Sequence, residues 1–271
     1  MKSTRIFAGI LLMLGLLMPA AAKAEGIVIS GSTTVLPIMQ KVVEAYLKVH
    51  PDLEISLTAS GSGDGIKAII DGTANLAMSS REMKDSELTK AKEKGVNLQP
   101  IAIATDAILP IVNPANPVAD LSKAQLKGIY TGEITNWKEV GGAEGPIVVV
   151  SRDSSSGTYE AWGELVLNKA RVTPKALLQA SSGAVLQFIS KNKQAIGYDS
   201  FGYVNDSVKG LKVEGVAGDP ETINSGAYPI TRKLWVIVGD NPTADVAAFA
   251  DFLATPDVRE IITSCGAVPL K

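Results

Sequence analysis

Cysteine and histidine are almost missing from this chain: Cys265 and His50 each stand alone among 271 residues. A single thiol excludes a disulfide framework, and Cys265 is expected to be a buried, inert side chain. One imidazole and one thiol also leave no ligand set for a structural or catalytic metal. A Ser-His-Asp nucleophile would have to use His50. That residue lies in Lys48-Val49-His50-Pro51-Asp52, which reads as a solvated helix end running into a turn. Neither charge dominates, with 26 Lys+Arg against 28 Asp+Glu, so no basic field invites nucleic acid. After residue 18 no apolar run is long enough to span a bilayer. Ser190-Lys191-Asn192-Lys193 fits S-x-x-K, but the companions S-D-N and K-T-G are missing and the segment reads as the polar end of a surface helix. G-x-S-x-G is absent too, so the chain reads as a non-enzyme that needs no cofactor.

At the amino terminus, Lys2 and Arg5 precede a 13-residue stretch from Ile6 to Met18, and Ala22-Lys23-Ala24 closes an A-x-A pattern. These three parts make a secretory signal peptide cut after Ala24. The cut removes three bases and no acid, which moves the formal charge from −2 to −5. Because no cysteine lies near the cut, the expected product is a soluble periplasmic protein without a lipid anchor. A mildly acidic protein that binds an anion must do so with local dipoles and hydrogen bonds.

Strand and helix patterns alternate along the remainder. Ile27–Ile29 and Leu76–Met78 read as buried strands, and Val35, Met39, Val42, Val43 and Tyr46 recur at helical spacing. The βαβα order predicts an α/β fold with largely parallel sheets. Two long apolar segments, near 101–112 and 230–238, are the natural crossings between two lobes. The expected division is residues 1–24 as leader, 25–106 with 232–271 as one lobe, and 107–231 as the other.

Four strands end in small hydroxyl and glycine residues. Ser30-Gly31-Ser32-Thr33-Thr34 precedes the first helix, and Ser60-Gly61-Ser62-Gly63-Asp64-Gly65 precedes the second. Ser79-Ser80-Arg81 follows a third strand, and Ser151-Arg152-Asp153-Ser154-Ser155-Ser156-Gly157-Thr158 precedes a later helix. Helix starts carry unpaired N–H groups and partial positive charge. Glycine allows close backbone approach, and arginine offers a planar fork for an oxyanion. Asp153 is expected to hold the Arg152 fork. Ligands in open α/β sheets lie beyond the carboxyl ends of the strands. Four such turns around one cleft would form a donor-rich, carboxylate-poor cradle for a small oxyanion.

These segments, with Ile111–Val118 (IVNPANPV), Ile129–Trp137 (IYTGEITNW) and Ala195–Val204 (AIGYDSFGYV), resemble the phosphate-binding proteins of phosphate ABC transporters, within the type II periplasmic-binding-protein superfamily. The resemblance implies two α/β lobes on a two-strand hinge, closing over inorganic phosphate. It also implies a monomer that delivers its cargo to a membrane permease, and contacts from Ser32, Thr33, Thr34, Ser62, Arg152, Ser156, Gly157 and Thr158. Members of the family place an aspartate where Ser80 stands, to accept the proton of monohydrogen phosphate. Two expectations follow for this chain. Either Asp64 takes over as acceptor or Ser80 does so with less discrimination, and Arg81 either adds charge to the cleft or pairs with an acid outside it. Sulfate, molybdate and tungstate are the alternative guests of the same scaffold.

Overall fold

The computed structural model describes residues 26–270, so the leader lies outside the described residues. The first part of the chain runs β1 (Ile27–Gly31), α1 (Leu36–Val49), β2 (Ile55–Ala59), α2 (Ser62–Ile70), β3 (Leu76–Ser79), α3 (Asp85–Glu93) and the long β4 (Leu98–Val112). The middle runs β5 (Asp120–Leu121), α4 (Lys123–Thr131), β6 (Val148–Arg152), α5 (Gly157–Leu165), β7 (Leu177–Gln179), α6 (Ser182–Lys191), β8 (Ala195–Ser200), β9 (Lys209–Gly210), β10 (Lys212–Val213) and α7 (Pro220–Ser225). The chain closes with β11 (Thr231–Gly239), α8 (Ala244–Phe252), α9 (Pro256–Ser264) and β12 (Val268–Pro269).

The strands join in the order β2-β1-β3-β11-β4-β8-β6-β7. Parallel pairing holds within β2-β1-β3 and within β8-β6-β7, as the βαβ alternation requires. The two central strands depart from it, since β11 runs antiparallel to both β3 and β4. At fifteen residues, β4 is long enough to serve both ends of the sheet. Its Leu98–Ala107 portion pairs with β11, and Ile108–Val112 pairs with β8.

The apolar core divides where β4 changes partner. One cluster draws on residues from Ala107 to Ile230, with Trp137, Trp162, Tyr130 and Tyr198 wholly buried in it. The others draw on Ile27 to Ala104 and Leu234 to Ala267. Helices cover each part through apolar faces at helical spacing, as in α1, where Ile38, Met39, Val42, Val43 and Tyr46 are buried. Ser32 does not cap that helix: its Oγ accepts the amides of Thr34 and Val35, and the N-cap position falls on Val35. Cys265 is half-buried rather than buried. Exposed His50 stacks on Tyr46 at the end of α1, with ring centroids 4.2 Å apart. Ser190 donates to the Gln187 carbonyl at the end of α6, as a surface helix end should.

Candidate functional site

The carboxyl ends of the parallel strands face one another across the molecule. The turns after β1, β2 and β3 meet the turns after β6, β7 and β8 through hydrogen bonds between residues distant in sequence. Thr34 Oγ1 lies 2.9 Å from Thr158 Oγ1, and Thr33 Oγ1 donates to Ser182 Oγ at 3.5 Å. The Gly63 amide donates to the Ser155 carbonyl at 2.9 Å, while Ser155 Oγ donates to the Ser60 carbonyl. Tyr203 OH donates to the Thr33 carbonyl at 2.6 Å.

Two glycines make this approach possible. Gly61 has φ 149°, and a Cβ there would lie 2.3 Å from Ser155 Oγ. At Gly157 a Cβ would lie 2.3 Å from Ser62 Oγ and 2.7 Å from Ser80 Oγ. The start of α5 is therefore pressed against the hydroxyls of the second and third turns. Ser62 Oγ accepts the Ser80 amide at 3.1 Å and lies 3.3 Å from Ser80 Oγ. Ser156 caps α5 by accepting the Tyr159 amide. Ser32, Thr33, Thr34, Ser62, Ser80, Arg152, Ser156 and Thr158 are all buried. Buried polar groups demand partners, and this many hydroxyls at one junction is a polar cradle rather than a core.

Arg152 is held from two sides. Its Nε and Nη2 donate to the carbonyls of Gln179 and Ala180, so neither of those bonds uses Nη1. Its amide donates to Tyr198 OH, which also bonds Ser151 Oγ and stacks on Trp162 with centroids 4.5 Å apart. An aromatic core thus fixes the backbone beneath the fork. Asp153 does not hold the fork. Its Oδ1 accepts from the amide and the hydroxyl of Ser155, because a carboxylate two residues before a free amide closes a local turn first.

Of the two alternatives given for Asp64 and for Arg81, the structure matches in each case the one that keeps the side chain out of the cradle. Asp64 is exposed, because α2 buries Ser62, Gly65, Ile66, Ile69 and Ile70 and position 64 falls on the opposite side. Arg81 is buried, but its guanidinium is spent on acids: it donates to both oxygens of Glu87 and to the Glu82 carbonyl, and Nε faces Glu160 Oε2 at 2.6 Å. Its charge is therefore neutralised outside the cradle.

Four groups were missed in the sequence. Arg232 on β11 pairs with Asp106, its cross-strand neighbour on β4, through Nε at 3.0 Å and Nη2 at 2.9 Å. It also donates from Nη1 to Thr158 Oγ1 and from Nη2 to Thr34 Oγ1. Ser182 stands at the start of α6. Asp199, at the end of β8, is 1% exposed; its Oδ1 accepts the Ser200 amide and its Oδ2 has no partner among the described residues. Burial pushes the Asp199 carboxyl up to about 6, offset only in part by the Ser182 hydroxyl, the Ser200 amide and the charges of Arg152 and Arg232.

A carboxyl raised from 3.8 to about 6 favours folding when protonated. That contribution, about 3 kcal/mol, is complete below pH 4 and is lost as pH rises through 6. Denaturant unfolding of ligand-free Asp199→Asn at pH 4 and pH 7.5 is expected to show less loss of stability with rising pH than the parent. Equal slopes would show that this carboxyl does not titrate there.

Among the described residues no group of acidic, histidine and cysteine side chains could hold a metal ion, and no helix is long and apolar enough to cross a membrane. Residues 19–257 match the family model described as PBP superfamily domain. The phosphate-binding protein PstS of Borreliella burgdorferi is 33% identical over 256 residues, 90% of this chain and 89% of that protein. A crystal structure from Clostridium perfringens, assigned as a phosphate ABC transporter substrate-binding protein and holding bound phosphate, has a TM-score of 0.86. It is 38% identical, and the match covers 91% of this chain and 100% of that one. An ABC-type phosphate transport receptor from Vibrio cholerae has a TM-score of 0.74 at 34% identity, covering 89% and 99%.

Proposed function

The chain belongs to the PBP superfamily and, within it, to the family of the phosphate-binding proteins PstS, and from that premise we propose that it captures inorganic phosphate outside the cytoplasm and delivers it to the permease of an ABC transporter. It does so as an exported monomer without turnover, after a leader is cut behind Ala24. Residues 25–106 with 232–271 form one lobe and 107–231 the other, with β4 and β11 as the hinge. Ser32, Thr33, Thr34 and Ser62 from one lobe and Arg152, Ser156, Gly157 and Thr158 from the other hold the anion.

The observation that carries this reading is the meeting of buried hydroxyls and helix starts from both parts of the sheet beside an arginine to which no carboxylate among the described residues is bonded. A phosphate oxygen accepts from such groups, and each charge-assisted bond contributes about 1.5–3 kcal/mol. Several together, offset by dehydration and ordering, support dissociation on the order of 1 μM, about −8 kcal/mol.

With Asp64 facing water, Ser80 remains of the two acceptors expected for the proton of monohydrogen phosphate. A hydroxyl accepts that proton but does not repel sulfate as a carboxylate would. Isothermal titration is expected to show one phosphate per chain and weaker sulfate binding. Asp64→Asn leaves the ratio of the two affinities unchanged, and Ser80→Ala lowers it severalfold. Binding of sulfate, molybdate or tungstate in place of phosphate would transfer the assignment to that ion.

A further inference from the structure

Beside the cradle lies a second set of polar contacts between the two parts of the molecule, made of ions. Glu160 sits on the first turn of α5, on the part of the molecule that carries Arg152. Both of its oxygens are taken by cations of the opposite part. Oε2 lies 2.6 Å from Arg81 Nε, and Oε1 accepts from Lys84 Nζ at 2.8 Å. No side chain of its own part bonds it among the described residues.

Arg81 differs in this respect. Glu87, on α3 of the same part, grips it with two bonds of 2.8 and 2.7 Å, and that grip does not depend on where Glu160 is. Separation of the two parts would therefore cost Glu160 both partners while leaving the Arg81–Glu87 pair intact. The side chains of Arg81 and Glu160 are 8% and 16% exposed. They line a cavity of about 500 Å³ together with Lys84, Glu164 and Trp235. A pair this far out of water is screened less than a surface pair.

We propose that Glu160 is a positioning residue for anion retention: it holds the two lobes together from the side of the cleft, and so sets how long the ligand stays bound without touching it. The proposal rests on the phosphate reading above, and it gives Arg81 a role in place of the ligand contact it does not make. Closing contacts that form after encounter act on dissociation rather than association.

Stopped-flow and titration measurements of phosphate binding to Glu160→Gln are expected to show a dissociation rate about tenfold higher, an association rate within a factor of two of the parent, and an unchanged melting temperature of the ligand-free protein. Lys84→Met, which removes only the more exposed arm, is expected to raise dissociation about threefold. Raising NaCl from 50 to 500 mM is expected to speed release from the parent only slightly, through the half-exposed Lys84 arm, and not from Glu160→Gln. Parent-like dissociation in Glu160→Gln overturns the proposal. So does faster release matched by an equal loss of ligand-free stability, which would make Glu160 a packing residue only. Failure of the parent itself to bind phosphate would instead overturn the functional reading.

Discussion

Replacing Arg152 with alanine is expected to weaken phosphate binding by two to three orders of magnitude while the protein remains folded. Arg152 is 2% exposed and forms no ion pair within 4 Å among the described residues, so its charge is buried without a direct counter-ion. Burial accordingly pushes the guanidinium below its ordinary value, with the more distant charges of Asp199 and Asp153 opposing. A dianion supplies what the protein does not. Loss of one member of a buried charged contact costs about 2–5 kcal/mol of affinity, which gives the magnitude stated. The fold loses less, since Ala180 is exposed and Gln179 half-buried, so water can meet the two carbonyls that truncation frees. Arg152→Lys is expected to recover little, because one ammonium cannot hold two carbonyls and an oxyanion in the plane a guanidinium provides. Titration with phosphate beside a thermal melt separates the two effects, and parent-like affinity in Arg152→Ala would remove the cradle from consideration.

The turns that build the cradle were legible because their signal is local. A buried strand, two or three hydroxyls, a glycine and an amphipathic helix lie within a dozen residues, and the chain order alone puts them at strand ends. Asp64 was left between two places although its position could have been read. Ile66, Ile69 and Ile70 fix the inward face of α2, and two residues before Ile66 is about 200° around the helix. Arg81 could not be placed from sequence, since Glu160 lies 79 positions away on another element.

Asp106 and Arg232 lay between these cases. Each interrupts an apolar strand, and a charge inside such a strand must find a partner or remain neutral. The partner is 126 positions distant, and only the antiparallel pairing of β4 with β11 sets the two side by side. Nor did the alternation of strands and helices announce that pairing, because two central strands running against their neighbours leave no mark on the order of elements.

That ion pair leads to the second large effect. Asp106 is wholly buried, and burial raises its carboxyl even with Arg232 beside it and Ser200 Oγ donating at 2.6 Å. Arg232→Met removes the cation and leaves the acid, so unfolding free energy at pH 7.5 is expected to fall by about 3–5 kcal/mol. The loss should shrink toward acid pH, because a carboxyl whose value is raised in the folded state stabilises when protonated and ceases to do so as pH climbs past that value. Asp106→Asn combined with Arg232→Met removes both charges and is expected to regain most of the stability. Phosphate affinity is not expected to return with it. Arg232 donates to Thr158 Oγ1 and Thr34 Oγ1, which are themselves 2.9 Å apart. Their oxygens therefore accept from the guanidinium; one hydroxyl hydrogen bridges the pair and the other is left as a donor. Without Arg232 both hydroxyls are free to rotate, and donation to an anion carries an ordering cost. Denaturant unfolding and phosphate titration on the two variants separate charge balance from hydroxyl orientation: a double variant that is stable yet binds like the parent would leave Arg232 with a structural role alone.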